Sequence, residues 1–227
     1  MSNRFSVIAV VGAVWLSTAA SAASPKAAPE SPDGYVSVID NPYVPMKPGT
    51  TLFYKGTKDE RRADREFEVL AKTKVVNGVT CVIAEDRVSL GGKPAEKTIG
   101  YYAQDKDGNV WYFGEESQEL DKKGHVLKSE GWLAGTDGAT PNLLMSAHPE
   151  VGDRFKHAFT GGITEVLKLA ASVDVPYGAF KDALLIKDWN PAEPDTVSQK
   201  FYLSGIGEAR DVDVKGQSED IKLVKIN

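Results

Sequence analysis

The feature that most constrains the fold of this chain is an apolar and polar alternation with a period of two residues. In the segment Glu66–Val75, Phe67 and Val69 lie on one side and Glu68 on the other, and the apolar side continues to Val75. The segment Glu165–Val175 alternates in the same way. Because successive side chains of a β-strand point to opposite faces, this pattern predicts strands with one buried face.

Turn-forming dipeptides separate the alternating segments. Asn77-Gly78 and Asp107-Gly108 are typical of tight hairpin turns, and Gly91-Gly92 ends another strand. Helix signals are weak, with one helical turn expected at Asn142–Ala147, and Gly131–Gly152 is expected to be a long irregular loop. No repeat of fixed period is visible.

We therefore predict an all-β fold: a curved antiparallel meander, as a β-roll or half-barrel, of about ten strands with little helix. The clearest predicted strands are Glu66–Val75, Val79–Leu90, Thr98–Gln104, Asn109–Gly114, Glu165–Val175, Ala183–Trp189, Val197–Leu203, Glu208–Val214 and Asp220–Ile226.

The N-terminus is typical of a secretory signal. Arg4 precedes an apolar run from Phe5 to Leu16, and Ala20-Ser21-Ala22 supplies a small-x-small cleavage site. The run is shorter than the ~20 residues of a membrane-spanning helix. We expect residues 1–22 to be a signal peptide, 23–34 a flexible leader, and 35–227 a single β-rich domain in the periplasm or outside the cell. No membrane-spanning segment is expected after signal removal.

The net charge limits the classes of partner, and the cysteine content limits how the fold is stabilised. The chain has 27 Lys and Arg against 32 Asp and Glu, a formal net charge of −5, and losing Arg4 makes it more acidic. Because nucleic acids require a basic face, they are not expected as partners. Cys81 is the only cysteine and sits in an apolar strand, so the fold depends on core packing rather than on an internal disulfide.

One motif resembles a calcium-binding loop. Asp105 and Asp107 alternate before a glycine, as in such loops. The same alignment places Ala103 at the first ligand position and Gly114 where a bidentate glutamate belongs, with Glu115 one residue later. Because both of these ligand positions lack a side-chain oxygen, a hairpin turn is the favoured interpretation of the motif, and a metal site at Asp105, Asp107 and Glu115 is the alternative.

Catalytic signatures are missing from the sequence. No G-x-S-x-G elbow, phosphate loop or dinucleotide fingerprint occurs, and no cofactor is expected. His125, His148 and His157 lack the close-spaced pairing that is usual at zinc sites. A hydrolase whose Ser, His and Asp are assembled in space stays open, since triads are recognised by geometry and not by order.

Aromatic residues crowd one predicted hairpin. They could pack as core and cross-strand neighbours, or they could line a groove for an apolar or sugar-like ligand. The ligand-groove candidates are Tyr101, Tyr102, Trp111, Tyr112 and Phe113.

Four segments carry a resemblance to known proteins: Asn41–Tyr43 with Lys47–Thr51, Tyr102–Glu115, Val175–Asp182 and Phe201–Gly207. Together they are similar to a group of exported bacterial proteins, some lipid-anchored, which have no assigned activity. The resemblance implies a bacterial periplasmic or secreted setting and carries over no catalytic residues. The segment Phe201–Gly207 is also similar to those of periplasmic lipoprotein-carrier-like β-rolls.

The leading hypothesis is a non-catalytic exported protein that binds a hydrophobic small molecule or an envelope protein. The alternatives are a hydrolase with a spatially assembled site and a protein that binds calcium or another metal. They differ in what a pocket of the folded chain must contain: aromatic walls, a nucleophile beside its base, or converging carboxylates.

Overall fold

Antiparallel strands dominate the part of the chain that the computed structural model describes, residues 27–157 and 160–227. The predicted signal peptide lies outside these residues, as do leader residues 23–26. The rest of the leader includes the 3-10 turn Pro32–Gly34. The all-β antiparallel class with little helix is confirmed. The expected number of about ten strands is wrong, because the described residues form fourteen.

The strands follow one another along the chain with short connections. Their bounds are β1 (Tyr35–Val36), β2 (Thr51–Lys58), β3 (Arg61–Val76), β4 (Val79–Leu90), β5 (Lys93–Asp105), β6 (Val110–Leu120), β7 (Val126–Leu133), β8 (Asn142–Met145), β9 (Arg154–Lys156), β10 (Ile163–Val175), β11 (Gly178–Asn190), β12 (Glu193–Leu203), β13 (Gly207–Lys215) and β14 (Glu219–Ile226).

The sheet consists of two consecutive meanders joined edge to edge. Strands β2 to β7 pair in order and form the first meander, strands β9 to β14 form the second, and β2 pairs with β14 to join them. Strand β1 adds to β5, and β8 adds to β6. Within the described residues, β7 and β9 lie at the two ends of the strand order and do not pair with each other, so the sheet is open.

The two meanders repeat the same hydrogen bonds at their first hairpins. Gly49 N donates to Val69 O at 2.8 Å, and Val69 N donates back to the residue after the glycine at 2.9 Å. In the second meander, Gly152 N donates to Val166 O at 2.9 Å, and Val166 N donates to the O atom of Asp153, the residue after the glycine, at 3.0 Å. Both glycines have positive φ, which allows the tight entry into the strand. The chain therefore contains a duplicated architecture that its sequence periodicity does not reveal.

The two meanders also share a bulge at equivalent positions, beside the cavity that lies between them. The β5–β6 register shifts between Tyr101 and Tyr102, and the β12–β13 register shifts between Phe201 and Tyr202. Each bulge re-aims the second residue of its pair. Tyr102 and Tyr202 thus occupy matching places, and both line the cavity between the meanders.

Bulges also change which face of a strand is buried. The register of β3 and β4 shifts between Val69 and Thr73. Beyond it, Val75 is 64% exposed and Val76 is buried, so the expectation that Val75 shares the buried face of Val69 is wrong. The helical turn expected at Asn142–Ala147 is also wrong, since residues 142–145 form β8 within the segment expected to be a loop.

The long hairpins fold back over their own meanders. Tyr177 N, in the β10–β11 turn, donates to Leu223 O of β14 at 3.1 Å. In the first meander the Asn77 side chain lies so close to Gly135 that a Cβ there would be 2.5 Å from Asn77 Oδ1. The largest apolar cluster spans both meanders, with Trp111 and Phe113 of the first and Leu184 of the second among its members. Another cluster, which includes Phe201, lies within the second meander.

Cys81 is fully buried inside the first meander, and burial raises the pKa of its thiol to about 12. Because the thiolate is the reactive form, we expect negligible labelling of the native protein by a disulfide reagent at pH 8. Labelling should become fast in denaturant. Fast native labelling, measured by release of the coloured thiol, would contradict this placement of Cys81.

Candidate functional site

A cavity of about 350 Å³ lies where the two meanders meet. Strands of both halves contribute to it, as does the proline-containing segment that precedes β2. Its wall has an apolar side, a group of five tyrosines and a set of charged residues. The lining residues are Tyr43, Val44, Pro45, Met46, Leu52, Tyr54, Arg65, Phe67, Ala84, Asp86, Glu96, Thr98, Gly100, Tyr102, Tyr112, Glu115, Leu144, Lys200, Tyr202, Ile206, Gly207 and Glu208.

Arg65 of β3 connects the two meanders across this cavity. Its Nε donates to both carboxylate oxygens of Asp86, at 3.0 and 2.8 Å, and its Nη1 donates to Glu208 Oε1 at 2.6 Å. The guanidinium carbon lies 5.1 Å from the centre of the Tyr54 ring. Since Asp86 is on β4 and Glu208 on β13, the guanidinium fixes one half of the sheet to the other.

Lys200 of β12 is the second cation of the wall. Its Nζ lies 3.1 Å from Asp188 Oδ2 and 3.7 Å from Asp211 Oδ2. The Asp211 and Asp188 carboxylates raise the pKa of Lys200. Burial raises the pKa of Asp211, although the ammonium opposes that shift. Lys200 is therefore charged at neutral pH, and Asp188 is its closer partner.

Tyr102, Tyr112 and Glu115 form the tyrosine side of the cavity. The Tyr102 and Tyr112 rings stack with their centres 4.8 Å apart, and the Tyr112 hydroxyl donates to Glu115 Oε2 at 2.6 Å. Burial is the main reason that the pKa values of both hydroxyls are raised. Gly100 makes this packing possible, because a Cβ there would lie 2.5 Å from the Tyr102 hydroxyl.

The apolar side depends on a segment that Asn41 holds in place. Asn41 Oδ1 accepts from Tyr43 N at 3.0 Å, and its Nδ2 donates to Ser146 O at 3.2 Å. Gly205 N donates to Pro42 O at 2.7 Å, which ties the segment to the second meander. The apolar residues of the cavity wall are Val44, Pro45, Met46, Leu52, Phe67, Ala84, Leu144 and Ile206.

The five aromatic candidates from the sequence separate into three places. Tyr102 and Tyr112 line the cavity. The Tyr101 hydroxyl is elsewhere, donating to Glu116 Oε1 at 2.7 Å. Trp111 and Phe113 are core residues at the edge of a second cavity, of about 520 Å³, which is also lined by Phe155 and residues 27–30. The structure thus brings two of the five together at the junction.

The calcium-like motif forms a closed turn. The buried Asp105 carboxylate accepts from Asp107 N, Asn109 N, Asn109 Nδ2 and Trp111 Nε1 at 2.8–3.0 Å. Asp107 is exposed, and Glu115 lies at the cavity instead. Within residues 27–157 and 160–227, no three His, Cys, Asp or Glu side chains gather as metal ligands.

One histidine does meet a hydroxyl and a carboxylate. His157 Nε2 lies 3.1 Å from Thr164 Oγ1, and the Thr164 hydroxyl donates to Asp188 Oδ1. Burial lowers the pKa of His157. A nucleophilic hydroxyl must give its proton to the imidazole. Here the proton points to Asp188, so the arrangement is that of a buried structural contact.

Sequence reasoning missed Arg65, Lys200, Tyr202 and Glu208. These residues stand in segments of ordinary polar and apolar alternation, where a charged residue usually faces solvent. The signal that could have found Tyr202 is the second of two aromatic doublets, Phe201-Tyr202, which precedes a tight turn as Tyr101-Tyr102 does.

Comparisons with known proteins place the chain in no family. No family and no curated protein matches it. A solved structure titled "putative lipoprotein", from Parabacteroides distasonis, is similar with a TM-score of 0.46 and 11% identity, over 82% of this chain and 98% of that one. A likeness of this strength carries no inference about fold or function. None of the helices in the described residues has the length and apolar character needed to cross a membrane.

Proposed function

We propose that this chain is a non-catalytic exported protein that binds a small amphipathic molecule in the cavity between its two meanders. The observation that supports it is the composition of that cavity, where apolar side chains, tyrosines and charged groups line one partly open concave space. Small-molecule sites are concave, mostly apolar and carry a few converging polar groups. The ligand's hydrocarbon part lies against Met46, Leu52 and Leu144, and its polar part against the tyrosine side.

The rigid setting of the polar groups supports binding rather than catalysis. Arg65 is held by two carboxylates and Lys200 by two others, so neither cation is available as an electrophile or a base. Such fixed groups can orient a ligand without reorganising, which lowers the entropic cost of binding. Export is supported by the N-terminal pattern described above, which is that of a secretory signal.

Native mass spectrometry tests the proposal. The protein is incubated with a bacterial lipid extract and sprayed under non-denaturing conditions, and we expect a peak with the mass of one added small molecule. In Leu144→Trp the larger side chain fills the cavity, and the added mass should disappear. Leu127→Trp makes the same kind of change at a position that is 68% exposed on β7, and it should bind normally.

Two results would overturn the proposal. A purely apo spectrum of the wild-type protein across extracts is one. An added mass that persists unchanged in a folded Leu144→Trp variant is the other, because the ligand would then lie outside this cavity.

A further inference from the structure

The charges around the cavity between the meanders are not balanced. Four carboxylates belong to its wall, against the two cations Arg65 and Lys200. Both cations are already occupied, Arg65 by two of the wall carboxylates and Lys200 by two carboxylates behind it. An anionic ligand would have to break one of these pairs. The wall carboxylates are Asp86, Glu96, Glu115 and Glu208.

Glu115 has no positive partner. Among the described residues it accepts the Tyr112 hydroxyl and forms no ion pair. It is only partly exposed and stands beside the stacked rings of Tyr102 and Tyr112. A carboxylate next to aromatic rings is the setting in which proteins hold organic cations, because the ring faces and the carboxylate both attract positive charge.

We propose that the polar end of the ligand is an organic cation, such as a protonated alkylamine, and that it lies against the Glu115 carboxylate, beside the Tyr102–Tyr112 pair. The inference rests on the proposed function and adds the ligand class. The cation supplies the positive counter-charge that the Glu115 carboxylate lacks, and it also approaches the tyrosine rings. Its alkyl chain extends along the apolar wall at Leu52 and Leu144.

Three probes that share an eight-carbon chain separate the head group from the hydrocarbon part. Octylamine, octan-1-ol and octanoate are titrated into the wild-type protein at pH 7 by calorimetry. We expect octylamine to bind about ten-fold more tightly than octan-1-ol, in keeping with a cation held by an aromatic ring and a carboxylate. Octanoate should bind most weakly of the three.

Glu115→Gln removes the charge while keeping the acceptor for Tyr112. We expect it to weaken octylamine about ten-fold and to leave octan-1-ol within about two-fold. Glu116→Gln is the matched control, since this neighbouring carboxylate is exposed and pairs with Lys74 instead. It should leave all three affinities unchanged.

The outcomes separate this inference from the proposed function. Equal affinity for octylamine and octan-1-ol, or a folded Glu115→Gln variant that keeps the full amine preference, overturns the cationic head group and leaves the cavity as a site. Absence of binding by all three probes overturns both.

Discussion

Replacing Asp105 with alanine is expected to destabilise the protein by about 4 kcal/mol, because several buried hydrogen-bond donors lose their acceptor at once. The carboxylate is buried and accepts from Asp107 N at 3.0 Å, Asn109 N at 2.9 Å, Asn109 Nδ2 at 2.8 Å and Trp111 Nε1 at 2.8 Å. Asn109 and Trp111 are themselves buried, so their donors cannot turn to water. Urea unfolding followed by tryptophan fluorescence measures the change.

Asp107→Ala is the natural control for that variant. Asp107 is exposed in the same turn, and an exposed substitution away from special contacts usually changes stability by less than about 0.5 kcal/mol. If both variants unfold at the wild-type urea concentration, the Asp105 carboxylate does not organise the turn. If millimolar calcium raises the melting temperature of the wild type but not of Asp105→Ala, the motif is a metal site after all.

Replacing Arg65 with methionine is expected to cost roughly 3 kcal/mol of stability. The guanidinium lies between Asp86 and Glu208, and its removal leaves two carboxylates in a partly buried place without their counter-charge. Methionine keeps most of the apolar length of the side chain, so lost packing contributes little. Because Glu208 belongs to the second meander, the loss should also loosen the join between the halves.

Two comparisons decide whether the join depends on this ion pair. Arg62→Met removes an exposed arginine of the same strand, whose pair with Asp64 is on the surface, and should leave the stability close to that of the wild type. In Arg65→Met, amide exchange should speed up along β2 and β14, which form the seam. A variant as stable as Arg62→Met, with unchanged exchange at the seam, would contradict the role assigned to Arg65.

Much of the strand content could be predicted because local patterns produce it. The predicted strand Val79–Leu90 coincides with β4, and Asn77 and Gly78 both have the positive φ that a tight hairpin turn needs. Strands with one buried face show an alternation of apolar and polar residues in the sequence, and tight turns are marked by their glycines. Both signals come from neighbouring residues, so one sequence suffices to find them.

Three strands that the sequence analysis does not predict, β7, β8 and β9, lack a visible alternation. Strand β7 has its first six residues exposed, so no dry face marks it in the sequence. Strands β8 and β9 are four and three residues long, too short to display a period. The pairing of β2 with β14 joins the two ends of the domain, and no local pattern encodes a contact of that sequence separation.

The site was partly predictable for a related reason. The density of aromatic residues pointed to Tyr102 and Tyr112, which do line the cavity. It could not separate them from Trp111, which is 2% exposed, because alternation along β6 places Trp111 and Tyr112 on opposite faces without indicating which face lines the cavity. From the sequence alone, Lys200 is expected to face solvent. It lines the cavity only because the first meander packs beside this face of the second meander.

A crystal structure of the protein grown with octylamine would show directly whether an organic cation binds between the two meanders. We expect the ammonium beside the Glu115 carboxylate and the alkyl chain against Leu52 and Leu144. Density for the amine only in the second cavity, beside Trp111 and Phe155, would contradict it, as would an empty junction at a concentration where calorimetry records binding.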